Sequence, residues 1–347
     1  MKNYKTILLV LLSCLVAQNS SAIEKRNYIY IVGSSTVSPL MTSISEEFSR
    51  VQNSQNKKVE TPLVESNGTS HGFQDFCSGI GYKYPDISGA SRPIDKDELE
   101  LCSKNGVKQI AEIKIGYDGI VFGNFIKSKK FNLTKEEIFL ALAEKIHDPK
   151  TNKIVKNPYK TWNEINSKLP KEEILVFGPP LTSGTREIFV NLVMEEYCFH
   201  KKEFVESYPS WLERKKQCHA IRDDGKYINS GENDNLIIES LKNNPNAFGI
   251  FGFNFLVANK SEIQASLING VEPSFKTISS KKYQLSRPLF VYFKKEHLKL
   301  VPEISYFIKE LINAETIGSK GYLIYNGLVP LTKTEFEIVK KETISQL

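Results

Sequence analysis

Histidine, cysteine, methionine and tryptophan are scarce in this chain, with 5, 5, 3 and 2 copies among 347 residues. Scattered histidines leave little material for a metal-dependent or acid–base enzyme, which needs clustered ligands or a base beside a nucleophile. His71 does adjoin Ser70, but neighbours on one element point different ways, and no Gly-x-Ser-x-Gly elbow occurs. No Gly-Lys-Ser/Thr follows a glycine-rich turn, which excludes a nucleotide phosphate loop. Beyond residue 22 no apolar run is long enough to cross a bilayer. Lys/Arg blocks with interleaved aromatics are missing too, and the formal charge of +6 is spread among acids, so nucleic acid is not an expected partner. Repeats and low-complexity segments are likewise absent.

Residues 1–22 read as a secretory signal. Lys2 and Lys5 precede the short apolar stretch Ile7 to Val16, and Ser20-Ser21-Ala22 offers a small-residue cleavage site. Leu11-Leu12-Ser13-Cys14 loosely resembles a lipobox, leaving lipid anchoring through Cys14 as the alternative. Removal of this segment leaves 325 residues at a formal charge of +4, enough for two ordinary domains.

Four cysteines then remain. An even count in an exported chain favours two disulfides, and nearness in sequence pairs Cys77 with Cys102 and Cys198 with Cys218. Zinc held by Cys198, His200, Cys218 and His219 is the competing reading, although that spacing fits no common finger.

Strand-like and helical patterns alternate, which implies an α/β fold with a mostly parallel sheet. Strands are expected near Tyr28–Val32, Val59–Glu65, Asp86–Ala90, Ile174–Phe177, Ala247–Phe255 and Leu289–Phe293. Val37, Leu40, Met41, Ile44, Phe48 and Val51 recur at helical steps, as do Ile188, Phe189, Leu192, Val193 and Tyr197. Ile113 to Phe125 is strand-like, broken by Gly116, Gly119 and Gly123, and suits a crossing between domains. Residues 200–234 lack clean periodicity and read as a loop-rich insertion; Ile304 to Ile312 is the last well-patterned helix.

Three stretches share one placement between strand and helix: Gly33-Ser34-Ser35-Thr36, Gly68-Thr69-Ser70 and Thr182-Ser183-Gly184-Thr185-Arg186. A helix start carries unpaired N–H groups and partial positive charge, and small hydroxyl residues let an anion come close. Taken singly, each is an ordinary N-cap. Arg186 is less ordinary, because a cation in the first turn opposes the local dipole unless an anion lies between. Its planar fork would serve a tetrahedral oxyanion well. Arg92, held extended by Pro93, is a second candidate cation, with a surface ion pair as the plain alternative.

In order and spacing, Gly33-Ser34-Ser35-Thr36-Val37, the run from Ser66 to Gly72, Gly89-Ala90-Ser91-Arg92-Pro93 and Ser183-Gly184-Thr185-Arg186 resemble the substrate-binding protein of the bacterial high-affinity phosphate ABC transporter. Asn246 to Ile250 resembles a later family strand in degenerate form. The resemblance covers nearly all of the chain beyond the signal. It implies a two-lobed type II periplasmic-binding-protein fold with a two-strand hinge. The expected division is residues 23–116 with 288–347 as one lobe and 117–287 as the other.

The implied protein is a periplasmic monomer without cofactor that binds inorganic phosphate and delivers it to membrane permease subunits. By position, Ser35, Thr36 and the Val37 N–H would donate from one lobe, with Thr69 and Ser70. Ser183, Gly184 and Thr185 would close from the other, with Arg186 and Arg92 as cations. Two departures stand out. Some members carry an aspartate where Arg92 stands, and an arginine where this chain has Pro179. That shifts the role of accepting the proton of phosphate to another group, and Asp118 beside the expected hinge is nominated. Its plain alternative is a turn aspartate. Sulfate or molybdate receptors, an exported scavenging or adhesion protein that works without a transporter, and an exported phosphatase are the competing functions.

Overall fold

In the computed structural model, which describes residues 25–231 and 234–347, nine strands form one continuous sheet among the described residues. The signal segment and Cys14 lie outside those residues. The strands are β1 (Tyr30–Gly33), β2 (Leu63–Ser66), β3 (Ile87–Ala90), β4 (Ile110–Phe125), β5 (Val176–Gly178), β6 (Tyr227–Asn229), β7 (Phe248–Gly252), β8 (Ile263–Ala265) and β9 (Ser286–Lys294). Their order is β2-β1-β3-β9-β4-β7-β5-β6, with β8 also on β4.

The sheet is more mixed than the alternation suggested. β1 runs parallel to β2 and β3, and β5 parallel to β6 and β7. β9 is antiparallel to β3 and β4, and β7 and β8 are antiparallel to β4. The antiparallel pairs arise where the two long strands enter the middle of the sheet. β4 pairs with β9 from Ile110 to Gly119, then with β7 from Ile120 to Asn124. One strand thus serves both halves, changing partners at Gly119/Ile120.

Helices cover both faces of the first half. α1 (Ser38–Ser54) buries Leu40, Met41, Ile44 and Phe48, the last edge-on to Phe307 at 5.5 Å. Each such side chain contributes about 1.5–3 kcal/mol on burial. α2 (Thr69–Phe76) and α3 (Lys96–Lys104) pack Phe73, Phe76 and Cys102 with Val32, Ala90 and Tyr292 on the opposite face. In the second half, Phe122, Phe131, Trp162 and Phe248 form a buried aromatic group.

Both disulfides pair as expected, Cys77–Cys102 and Cys198–Cys218, so the thiolates needed for zinc are consumed. Residues 200–234 depart from the expected loop, with helices at Lys202–Ser207 and Trp211–His219 followed by β6. Their apolar residues are few, and packing against the disulfide-bonded segment replaces the missing stripe. The strand expected through Phe255 stops at Gly252, where a helix Phe253–Ala258 begins. A further helix, Lys333–Ile344, follows the one read as last; its Thr332/Glu335 capping box was the available signal.

Candidate functional site

Gly33 sets the first junction. Its φ is +132°, and a Cβ there would lie 2.1 Å from the Gly89 carbonyl oxygen, so only glycine lets β1 end against β3 in this way. Ser34 donates its N–H to that same carbonyl at 2.9 Å. The Val37 and Ser38 N–H groups both donate to the Ser34 carbonyl, at 3.0 and 2.9 Å, and the Thr36 N–H reaches Ser34 Oγ at 3.2 Å. The Val37 N–H is therefore engaged in its own turn, and the Val37 side chain is wholly buried.

At the second junction Thr69 is also occupied. Its Oγ1 lies 3.0 Å from Ser91 Oγ and accepts the Ser91 N–H at 3.2 Å. Arg92 donates to Ser70 Oγ at 3.1 Å, but its fork closes on Glu98, at 2.8 and 2.6 Å, while the guanidinium lies over Phe73 at 5.5 Å. Glu98 is itself fixed by the capping box that starts α3. Both terminal nitrogens of Arg92 are thus engaged.

The third junction begins α4 (Gly184–Phe189). Ser183 caps it, its Oγ accepting the Thr185 N–H at 3.2 Å. Gly184 meets the first junction directly: a Cβ there would sit 3.1 Å from Thr36 Oγ1 and 3.2 Å from Thr36 Cα. Arg186 does not point where the sequence placed it. Its buried guanidinium lies 4.8 Å over the ring of Tyr227, whose hydroxyl donates to the Pro179 carbonyl at 2.7 Å. The guanidinium is thus occupied by a ring on β6.

The cation at the centre is Arg287, on β9 opposite Asp118 of β4. It is 8% exposed; its Nη2 donates to Thr36 Oγ1 at 3.0 Å and its Nη1 lies 3.8 Å from Glu187. Its Nε has no hydrogen-bond partner among the described residues. Burial pulls its pKa down, opposed by Asp118 and Glu187. Burial likewise pushes the Asp118 carboxyl up to about 6, against Arg287 and a Gly119 N–H bond and with help from Glu187. Ser35 Oγ donates to Glu187. The sequence carried a clue to this centre, because Ser286-Arg287-Pro288 repeats the triplet Ser91-Arg92-Pro93. Glu187 immediately follows the arginine that had drawn attention.

Two hollows flank this contact. One, of about 680 Å³, brings together Ser35, Thr36, Asp118, Ser183, Gly184 and Thr185 at a polar end, with Leu40, Phe255 and Phe275 further out. The other, of about 710 Å³, holds Thr69, Ser70, Ser91 and Arg92 beside Glu187 and Arg287. The expected residues therefore do not share a single cavity. They fall on either side of the Thr36–Arg287 and Ser35–Glu187 contacts, and Val37 and Arg186 line neither hollow.

The PBP superfamily domain matches residues 20–315. A phosphate-binding protein PstS of Staphylococcus aureus is 30% identical over 282 residues, covering 80% of this chain and 71% of that relative. Protein SphX of Synechococcus elongatus is 27% identical over 320 residues, covering 90% and 80%. In three dimensions the chain is similar to a possible phosphate binding protein from Planctomyces limnophilus, with a TM-score of 0.71 and 25% identity over 92% of this chain and 98% of that one. PstS from Borrelia burgdorferi shares the fold at a TM-score of 0.60, covering 89% and 100% of the two chains. The chain belongs to the phosphate-binding protein family of the PBP superfamily, with its mixed α/β, type II architecture. By that kinship it is a binding protein rather than an enzyme.

Proposed function

We propose that this protein is an exported receptor that captures inorganic phosphate between two lobes and delivers it to an ABC permease. The observation that carries this reading is Arg287. A buried guanidinium with an unused Nε lies between two strand-to-helix junctions, one from each half of the sheet, and faces a carboxylate across the strand pair. A charge with donors to spare is costly unless a guest takes them. The names of the relatives favour phosphate as that guest.

In this reading the lobes are residues 23–116 with 288–347, and 117–287, and β4 and β9 form the hinge. The change of partner at Gly119/Ile120 supports a boundary close to that one. On opening, the Thr36–Gly184 approach separates; on closing about an anion, Thr36, Ser183, Gly184 and Thr185 contribute from both sides. Thr69 and Ser70 reach the anion from the second hollow. Arg287 takes the cationic role expected of Arg186, and Arg92 steadies Ser70. Asp118 accepts the proton that phosphate carries and sulfate lacks, so sulfate would leave that carboxylate facing a lone pair. Closure excludes water and alters the surface a permease meets.

Native mass spectrometry of the purified mature protein tests this: a phosphate adduct lost on unfolding is expected. Persistent binding of sulfate in preference to phosphate, or turnover of a chromogenic phosphate ester, would overturn it.

A further inference from the structure

Glu187 already holds two groups that the proposed guest needs. Its carboxylate accepts the Ser35 hydroxyl and lies 3.8 Å from Arg287 Nη1, while its side chain still reaches the second hollow. Resting on the phosphate reading above, we infer that Glu187 is a tethered competitor. An incoming phosphate gains the Ser35 hydroxyl and full access to Arg287 only by displacing this carboxylate.

Charge balance around the guanidinium favours such an exchange. Among the described residues Arg287, from β9, is the single cation in ion-pair range of Glu187, and Asp118 of β4 is a second carboxylate on that same cation. Arg92, Lys215 and His219, which also line this hollow, are committed elsewhere. Arg92 is forked on Glu98, and Lys215 and His219 turn to Glu195 at 3.6 and 2.5 Å. A dianion added beside two carboxylates and one guanidinium would meet net repulsion in a partly desolvated place. Departure of Glu187 towards solvent removes one unit of that repulsion, and a side chain that is 30% exposed has room to turn outwards. Ser35 then changes its acceptor without moving its backbone. A carboxylate that imitates the ligand would also let the two halves meet through Ser35 and Glu187 when phosphate is scarce, at the cost of affinity.

Isothermal titration calorimetry with inorganic phosphate at about pH 8 tests this on the full mature protein, Glu187→Gln and Glu187→Ala. Both variants are expected to bind about tenfold more tightly than the parent, because the competing charge is gone. Loss of mere structural support would weaken binding instead. Unchanged or weaker binding in both variants, with unfolding midpoints equal to the parent, overturns the inference and leaves the phosphate reading standing. Absence of phosphate binding by the parent would sink both.

Discussion

The same tripeptide, Ser-Arg-Pro, occurs at residues 91–93 and 286–288, on the adjacent strands' ends, and the two arginines have opposite fates. Arg92 is more than a third exposed along its side chain, yet both its terminal nitrogens are engaged by Glu98, Ser70 and a backbone carbonyl. Arg287 is nearly buried, yet one donor is unused and its nearest carboxylate is at salt-bridge rather than hydrogen-bond range. Exposure alone does not separate the two, nor does an idle Nε, which the buried Arg186 shares; Arg287 stands apart because it lies between two junctions and meets groups from both. Identical local sequence does not reveal which is which, because the deciding partners come from elsewhere. Glu98 lies within the next helix, whereas Thr36 and Glu187 are 251 and 100 positions from Arg287.

The sharpest way to break this comparison is to remove each arginine in turn. Arg287→Ala should weaken phosphate binding by about 100-fold or more, as two charge-assisted bonds are lost. Arg287→Lys should recover only part, since a point charge cannot replace the fork. Phosphate titration of both variants is the check; near-parental affinity in Arg287→Ala would end the distinction. Asp118→Asn comes next. The carboxyl titrates near 6 instead of its ordinary 3.8, so its charged form is penalised by the fold. That cost is absent below the unfolded value, grows between the two, and is full above about 6. The variant's unfolding midpoint should therefore exceed the parent's at about pH 8 and match it near pH 4, while phosphate/sulfate discrimination falls. Arg92→Ala should lower stability by about 0.5–1 kcal/mol, measured by denaturant unfolding, with phosphate affinity within about threefold of the parent. Arg186→Gln is expected to have the smallest effect on binding, while losing a cation–π contact of about 0.5–2 kcal/mol to Tyr227.

Much of the frame was legible in the chain. An apolar run bounded by glycine marked β1, short strand-like runs marked β3 and β5, cysteine spacing gave both disulfides, and the glycine-broken stretch before Phe125 marked the long shared strand. The three junctions were visible because their chemistry is local. Arg287 and Glu187 were not, since their meaning depends on the register of β9 against β4 and on the approach of Gly184 to Thr36. Arg186 misled for a related reason. Its place in the first turn is a sequence fact, but its direction follows from Tyr227, on a strand some forty residues further along the chain.

The pairing of β4 with β9 has a mechanical corollary. Side chains alternate along a strand, so sliding either one by a single position would send Arg287 and Asp118 to opposite faces. The bulge between Leu289 and Phe290 further locks the alignment. Torsion about the common axis disturbs neither. In the proposed hinge the pair would therefore act as an axle that turns without slipping, carrying the cation and its carboxylate as a fixed unit.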